Sequence, residues 1–490
     1  MIILILISTP YLVHKLGADA YGLFSIIIVV IGYFSVLDLG LGAATVKYVA
    51  DFNARGDYQS IFLIVSTSLS IFLVMGTVGM LMMIGLAAPI SNGLLHLPDS
   101  LTGTATVSLY IASLGFFVNM MLTVFSSVPT ALQRLDIVNK RNLVVGTLTV
   151  VFQVALLAAG LGLKTMVVVY VAANALGMIL FIKVCRSLLP MVSLRPVLHR
   201  GFVMRLLRFG SMKFLNQTAG QLVFQMDKIL IGFLLPISWV TYYVIPLILT
   251  QKLSSIQNNF SGAYYPAACE LVARGEETRF SYLYCRTSKI LAIVTIPIFL
   301  SLAIYAHPIL RLWMGADFAE KSTFTMQILA VGYLIAVLAH IPAISSDAMG
   351  KPKIPALFSV ISAFLNLGCA VLFIPVVGID GAALAFLFNA VLQVPIFIHY
   401  VNNKIINIRT TEMLSKSYLK PFMAAVGLLA GPLAMGVRND DMAVLAISLA
   451  LSITGYLAMI KLCRVFDKSD MLTMRNYKEY LFQKAGGIIG

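Results

Sequence analysis

The hydrophobic positions of this chain fall into runs of about 20 residues, separated by short polar stretches. A helix of that length crosses the hydrocarbon core of a bilayer, where every backbone group must find an internal hydrogen bond. The pattern predicts an all-α polytopic membrane protein with fourteen spans, at residues 1–13, 22–45, 61–88, 104–130, 143–163, 165–184, 209–235, 241–264, 288–306, 324–348, 356–374, 382–401, 421–437 and 442–462.

Composition excludes a soluble protein. Only 11% of the 490 residues are charged, against about 25% in a typical soluble domain. Apolar residues make up 60%, and the mean hydropathy is +0.93. The net charge of +15 is dispersed between apolar runs, so it predicts no nucleic-acid partner. The five cysteines have no paired spacing, which predicts neither a disulfide framework nor a metal site.

The basic residues test the number of spans, because cytoplasmic loops are enriched in Lys and Arg. Of the 35 basic residues, 27 fall on one side of the predicted topology and 5 on the other. This bias places both termini in the cytoplasm. The first span begins directly at Met1 and is interrupted by Pro10 without the features of a signal peptide. We therefore expect the native helix to start upstream of Met1.

Three short matches recur in the same order along the chain. Residues 54–57 (ARGD) match 273–276 (ARGE), positions 131, 134 and 136 match 348, 351 and 353, and residues 160–162 match 378–380. The offsets are 219, 217 and 218 residues, which indicates duplication. We expect two parallel-repeat six-helix bundles, residues 1–208 and 209–420, followed by a helix pair and tail at 421–490.

Three lysines remain inside the spans after the loop cations are assigned: Lys213, Lys228 and Lys252. Charges at the bilayer centre are costly, and they face a cavity or a partner, or they snorkel to the headgroups. In helix 7, Gln217, Gln221 and Gln225 share one face with Lys213 and Lys228 at 100° per residue. Helix 8 places Asn259 on the face of Lys252. We expect these seven residues to line a substrate cavity.

Alternatives remain for several of these residues. Lys213 alternatively extends its ammonium group to the lipid headgroups. Asp227 forms either an ion pair with Lys228 or a contact with a partner on another helix. Asp227, His340 and Asp38 are candidates for ion coupling. For His340 a packing histidine is the favoured alternative, and for Asp38, in the segment LDLGLG, the organisation of a Gly-rich helix turn is favoured.

Enzyme chemistry has little support. The chain lacks a GxxxxGK[ST] phosphate loop, an HExxH pair and a GxSxG elbow, and the predicted outer loops are short. We expect no cofactor and no enzymatic activity. Energy for transport would then come from an ion gradient or from the gradient of the substrate.

Several motifs resemble those of polysaccharide flippases in the multidrug/oligosaccharidyl-lipid/polysaccharide (MOP) exporter superfamily. They are Pro10, Leu16-Gly17, Tyr21-Gly22-Leu23, Asp38-Leu39-Gly40-Leu41, Lys47-Tyr48-Val49-Ala50, DKILIG at 227–232 and GIDGAA at 378–383. The resemblance covers most of the chain. One departure is that the cations inside the spans are lysines, whereas relatives often carry arginines, which bind anions in a bidentate fork.

The resemblance implies an alternating-access transporter in the bacterial inner membrane. Its substrate would be an undecaprenyl-pyrophosphate-linked oligosaccharide, moved to the periplasmic leaflet for O-antigen or exopolysaccharide synthesis. Helices 13 and 14 would form a groove for the polyprenyl tail, and polymerases and glycosyltransferases would be partners. A drug/cation antiporter of the same superfamily and a non-transporting scaffold in a glycan-assembly complex are the competing hypotheses.

Overall fold

The computed structural model describes residues 2–34, 38–190, 195–436 and 441–466, and the side chains among them except those of residues 2, 3, 33, 34 and 211–224. Every regular element within these ranges is a helix. The first ten helices are α1 (Ile2–Leu16), α2 (Ala18–Phe34), α3 (Leu41–Ala54), α4 (Tyr58–Pro89), α5 (Asp99–Ala131), α6 (Leu135–Ala158), α7 (Leu163–Leu188), α8 (Arg200–Leu234), α9 (Ser238–Ser254) and α10 (Gln257–Ala273).

The second half continues in the same way. Its helices are α11 (Glu277–Ile304), α12 (Ala306–Met314), α13 (Ala316–Leu338), α14 (His340–Ala348), α15 (Lys353–Val377), α16 (Ile379–Val401), α17 (Thr410–Leu414), α18 (Lys420–Ala424), α19 (Ala430–Met435) and α20 (Met442–Leu462). A π-helical turn at Ser415–Leu419 joins α17 to α18, and a 3₁₀ turn at Ala425–Leu429 joins α18 to α19.

The all-α polytopic membrane fold is confirmed. In the described ranges ten helices are long and apolar enough to cross a bilayer, and two shorter apolar helices, Leu4–Leu16 and Ala18–Gly32, precede them. The two remaining predicted spans, 209–235 and 241–264, fall on α8 and on α9 with α10. The order of the predicted spans is therefore retained, while the number fourteen stays a prediction.

Several predicted spans are divided between helices, among them 324–348 between α13 and α14, and two of the breaks lie next to candidate site residues. The span at 22–45 contains the end of α2 and the start of α3, with Leu39 (φ 50°) and Gly40 (φ 72°) between them in left-handed conformations. The span at 241–264 is divided between α9 and α10, which are separated by Ser255 and Ile256. The predicted interruption at Pro10 is absent, because α1 continues through this residue. A turn within an apolar run leaves hydropathy unchanged, so hydropathy alone does not locate such breaks.

One compact unit comprises Met1–Ile245 and Ala356–Ala385. Within it α5 packs against both α4 and α7, and Phe72, Phe116 and Phe181 are fully buried. Gly115 of α5 permits the close approach of α7, since a Cβ at this position would lie 2.7 Å from the Val171 side chain. Small residues at such crossings are typical of membrane helix packing.

The other unit comprises Pro246–Pro355 and Phe386–Gly490. Buried tyrosines link its helices through their hydroxyl groups. Tyr284 of α11 donates to Asn402 Oδ1 at 2.6 Å, and Tyr305 Oη lies 2.7 Å from Ser448 Oγ and 2.8 Å from Ser452 Oγ, both in α20. A buried tyrosine normally needs such a partner. The last helix is therefore joined to the end of α11 by a polar cluster.

The three sequence matches correspond to three pairs of matching turns. Positive φ angles occur at Gly56 and Gly275 (69° and 70°), at Gln133 and Gly350 (58° and 71°), and at Gly160 and Gly378 (83° and 68°). Their separations are 219, 217 and 218 residues. Each turn ends one helix in a left-handed cap. The turns support the duplication, while the domain boundaries at 208/209 and 420/421 stay a prediction.

The first of these turns supplies a prediction about pH. Asp57 is the N-cap of α4, and hydrogen bonds from the Ser60 hydroxyl and backbone N–H lower the pKa of its carboxyl group. A carboxyl group whose pKa is lowered by folding stabilises the fold above its unfolded pKa, and that contribution disappears as the pH falls through the folded pKa. We expect Asp57→Ala to lower the melting temperature in detergent at pH 7 and to have less effect at pH 3.

Asp57→Asn is the matched control, because asparagine is also a good N-cap but does not titrate. Its deficit at pH 7 should be smaller than that of Asp57→Ala, and both deficits relative to the wild type should shrink by a similar amount at pH 3, because neither replacement titrates. An equal deficit for Asp57→Ala at both pH values would contradict the capping role of the carboxylate.

Candidate functional site

The best-defined polar group in the first unit surrounds Asp227 in the last turns of α8. Its side chain is buried, with a relative exposure of 4%. Tyr243 of α9 donates its hydroxyl to Oδ2 at 2.8 Å, and Asn366 of α15 donates its amide to Oδ1 at 3.3 Å. Three helices therefore converge on one carboxyl group through hydrogen bonds. Of the two alternatives for Asp227, the geometry favours partners on other helices.

Lys228 makes a different contact on the same helix. Its Nζ donates to Gln225 Oε1 at 2.7 Å, and both side chains are half-buried. Adjacent residues on a helix project about 100° apart, so Asp227 and Lys228 reach different partners. The Lys228–Gln225 pair offers one ammonium group and one amide on a single helix face. Such groups can bind a phosphate oxygen and a sugar hydroxyl.

Three predicted cavity residues, Lys213, Gln217 and Gln221, have side chains outside the described residues, although the backbone of α8 continues through them. The polar face predicted for the seventh span (209–235), which lies in α8, is therefore described only at Gln225 and Lys228. Its remainder stays a prediction.

The polar face predicted for the eighth span (241–264) does not follow one continuous helix, because α9 and α10 divide this span. Lys252 lies half-buried in the last turn of α9, whereas Asn259 lies exposed in α10. Between them the Ser254 and Ser255 hydroxyls donate to the carbonyls of Gln251 and Lys252 at 2.8 and 2.6 Å. Hydroxyl bonds to nearby carbonyls are common where helices bend. The rotation of 100° per residue that placed Lys252 and Asn259 together does not apply across this break.

The other two candidates for ion coupling have local partners. His340 begins α14, and its Nε2 lies 2.6 Å from Ser261 Oγ in α10. The buried Asp38 accepts a hydrogen bond from Gly42 N at 2.8 Å in the first turn of α3. Both arrangements match the structural alternatives stated above, a packing histidine and a turn-organising aspartate, and the role of either residue in coupling stays a prediction.

Residue counting from the sequence assigned to loops two cations that pack against other parts of the fold. Arg141, assigned to a loop, lies in α6, where its guanidinium stacks 5.1 Å from the Phe181 ring centroid and occupies the space that a Cβ on Gly177 would need. Lys289, also assigned to a loop, is 6% exposed in α11 and donates to the Val465 carbonyl at 3.5 Å. Tyr243 and Asn366 were missed as well. The fit of Arg141 against Gly177 can be recognised only once it is known that α6 packs against α7.

A family model described as polysaccharide biosynthesis protein matches residues 15–323. The chain belongs to this family. The match spans more than half of the chain and includes α8 with Asp227 and Lys228. The match confirms the polysaccharide-biosynthesis family to which the sequence motifs point.

Two curated relatives agree with the family assignment. The chain is 24% identical over 431 residues to an uncharacterized membrane protein of Bacillus subtilis (strain 168), EpsK, covering 85% of this chain and 83% of the relative. It is 20% identical over 395 residues to a putative O-antigen transporter of Shigella flexneri, covering 79% and 90%. The chain therefore spans most of the length of both relatives.

Solved structures share the fold. Lipid II flippase MurJ, in an inward closed conformation, superposes with a TM-score of 0.73 at 14% identity, covering 94% of this chain and 96% of that chain. An inward-facing multidrug resistance MATE family transporter gives a TM-score of 0.70 at 13% identity, covering 85% and 96%. At these identities the likeness concerns the fold, and it does not identify a substrate.

Proposed function

We propose that this protein is a flippase that moves undecaprenyl-pyrophosphate-linked oligosaccharides from the cytoplasmic to the periplasmic leaflet by alternating access. The family match over residues 15–323 is the observation that carries the proposal. The relative described as a putative O-antigen transporter supports a saccharide substrate. Residence in the bacterial inner membrane, cytoplasmic termini and partnership with polymerases and glycosyltransferases belong to the same proposal.

The chemistry of the substrate suits the polar groups inside the apolar helices. A pyrophosphate needs cations and hydrogen-bond donors, and a glycan needs a hydrated polar path. Lys228 with Gln225 in the first unit provides an ammonium beside an amide at 2.7 Å, and Lys252 in the second unit provides another half-buried ammonium. Maintaining such groups in an apolar helix is costly, so a role in binding is a reason to retain them.

We also propose that Asp227 couples transport to an ion. It is a buried carboxyl group with two hydrogen-bond donors from other helices. A carboxyl group held between three helices can gain or lose a proton or bind a cation, and either change alters the bonds between those helices. The polar groups around His340 and Asp38 are alternative sites for the same role.

The substrate proposal is tested by Lys228→Gln and Lys252→Gln in a strain that depends on this gene for surface polysaccharide. Loss of one charge-assisted contact to phosphate costs about 1.5–3 kcal/mol, or about tenfold or more in binding. We expect at least a tenfold loss of polysaccharide in each variant at equal amounts of membrane-inserted protein. Lys183→Gln, at an exposed lysine of α7, is the control and should retain the wild-type level.

The outcome separates the competing hypotheses. Wild-type polysaccharide in both variants would exclude the proposed substrate site. Resistance to cationic dyes on expression, without any change in polysaccharide, would favour a drug/cation antiporter. Translocation of a lipid-linked sugar by the purified protein in liposomes would exclude a scaffold without transport activity.

A further inference from the structure

A groove of about 760 Å³ lies within the second unit, and Lys252 is not among the residues that line it. Its walls come from α13, α16 and the segment from α17 to α18, each part of a helix long and apolar enough to span a membrane. Apolar side chains, among them Leu338, Ile398, Leu414 and Phe422, form most of the lining, and His399 and Thr410 are polar members of it. The volume is within the range of about 300–1,000 Å³ typical of small-molecule sites.

Two polar members of the lining, His399 and Thr410, lie close together. His399 Nδ1 is 3.3 Å from Thr410 Oγ1, and its ring nitrogens are 3.1 and 3.2 Å from Asn403 Nδ2. His399 lies at the end of α16, Asn403 in the π-helical turn at Asn402–Ile406, and Thr410 at the start of α17. The groove is thus mostly apolar with one polar patch, which suits an amphiphilic ligand.

Two cations are adjacent in the chain to these polar residues, Lys404 to Asn403 and Arg409 to Thr410. Lys404 and Arg409 are exposed, and neither forms an ion pair within the described ranges. Lys416, by contrast, is paired with Glu412 at 2.6 Å. The connection between α16 and α17 lies on the basic side of the predicted topology. Basic pockets between spanning helices on the cytoplasmic side bind anionic headgroups, so the charge is complementary to an anionic lipid.

We propose that this groove is a binding site for an anionic membrane phospholipid. One acyl chain lies along the apolar lining, the phosphate faces Lys404 and Arg409, and the headgroup hydroxyls contact His399 and Thr410. The occupant is a lipid of the surrounding bilayer, separate from the transported substrate. The site is independent of the proposed function, because it requires neither Lys228 nor Asp227.

The test measures lipid retention by native mass spectrometry of the full-length protein, purified in detergent with equal amounts of phosphatidylglycerol and phosphatidylethanolamine. The wild type should retain phosphatidylglycerol preferentially. Each cation near a membrane surface contributes about 1 kcal/mol, or about fivefold. The double variant Lys404→Gln, Arg409→Gln should therefore lose at least tenfold in phosphatidylglycerol retention, with phosphatidylethanolamine unchanged. Lys461→Gln, exposed at the end of α20, should have no effect.

A second variant tests the apolar part. Leu414→Trp places a larger side chain at a half-open position of the lining (41% exposed), whereas Leu433→Trp places it at a lipid-facing position outside the lining (84% exposed). Only Leu414→Trp should reduce the retention of both lipids, and size-exclusion profiles should show that both variants remain folded. If Leu414→Trp does not fold, the double variant Lys404→Gln, Arg409→Gln still tests the proposal.

Three results would overturn the proposal. The first is equal retention of the two phospholipids by the wild type. The second is a double-charge variant that retains phosphatidylglycerol like the wild type. The third is displacement of phosphatidylglycerol by an equal concentration of undecaprenyl phosphate, which would assign the groove to a polyprenyl chain.

Discussion

Asp227→Ala should abolish transport and also lower the stability of the protein. The substitution removes the acceptor shared by Tyr243 and Asn366, which donate to it at 2.8 and 3.3 Å. Losing two such bonds at a buried site should cost about 1–3 kcal/mol of unfolding free energy, the lower values being typical of membrane interiors. The loss is measured as a lower melting temperature in detergent, and transport as surface polysaccharide and as lipid-linked-sugar translocation in liposomes.

Asp227→Asn separates stability from coupling. An asparagine retains the shape and one acceptor oxygen, and its amide can donate to the Tyr243 hydroxyl once that hydroxyl rotates. We therefore expect near wild-type melting, because most of the packing and hydrogen bonding remains. Transport should still fall at least tenfold, because the amide neither titrates nor carries charge. Asp99→Asn, at an exposed acid that begins α5, is the control for loss of a carboxylate.

Two results for these variants would contradict the role of Asp227 in coupling. If Asp227→Asn transports like the wild type while Asp227→Ala does not, then Asp227 has a structural role and the coupling proposal fails. If both variants are fully active and stable, the convergence of three helices on this carboxyl group contributes little.

Gly427→Val and Gly455→Val should each destabilise the second unit by about 1–3 kcal/mol. These glycines face one another where the 3₁₀ turn after α18 meets α20. A Cβ on Gly427 would collide with the Gly455 carbonyl, and a Cβ on Gly455 would collide with the Gly427 carbonyl. A larger side chain forces the two backbones apart, and overpacking of this kind typically costs about 1–3 kcal/mol. Separation would also strain the contacts of Tyr305 with Ser448 and Ser452. The measurement is the melting temperature by fluorescence-detected size exclusion.

The chain offers a matched control for this crossing. Gly368 lies inside α15, where a Cβ would meet no atom within 4 Å. Gly368→Val carries the same change in helix propensity and side-chain size, so it should retain nearly wild-type stability. A similar loss in all three variants would attribute the effect to glycine replacement in general and contradict the crossing.

The spans were predictable because hydropathy over about 20 residues depends only on the local sequence. The duplication was predictable for the same reason, since ARGD at 54–57 and ARGE at 273–276 form matching turns with Gly56 and Gly275 at φ 69° and 70°. The segment LDLGLG indicated a turn near Gly40, whereas the break at Ser255 was missed, because a uniform 100° rotation was assumed through that apolar run.

The site was less predictable than the fold. Asp227 was identified because a carboxyl group in an apolar run is costly, but its partner Asn366 lies 139 residues away in the chain. The sequence carries no mark that joins them. Lys289 was assigned to a loop because it lies near the start of its span, although it is buried in α11. Pairing of distant helices decides which polar residues share a site, and a single sequence does not specify that pairing.

The divided helices have a consequence for the history of the chain. The first copy breaks between α2 and α3 at Leu39 and Gly40, and the second breaks between α9 and α10 at Ser255 and Ile256. These positions are 216 residues apart, close to the repeat offsets of 217–219, yet a left-handed glycine turn is present in one copy and serine hydroxyl bonds in the other. The interruption thus occurs at nearly equivalent positions of the duplicated halves, although different residues form it in each. The duplication therefore constrains where the helix breaks more closely than which residues break it.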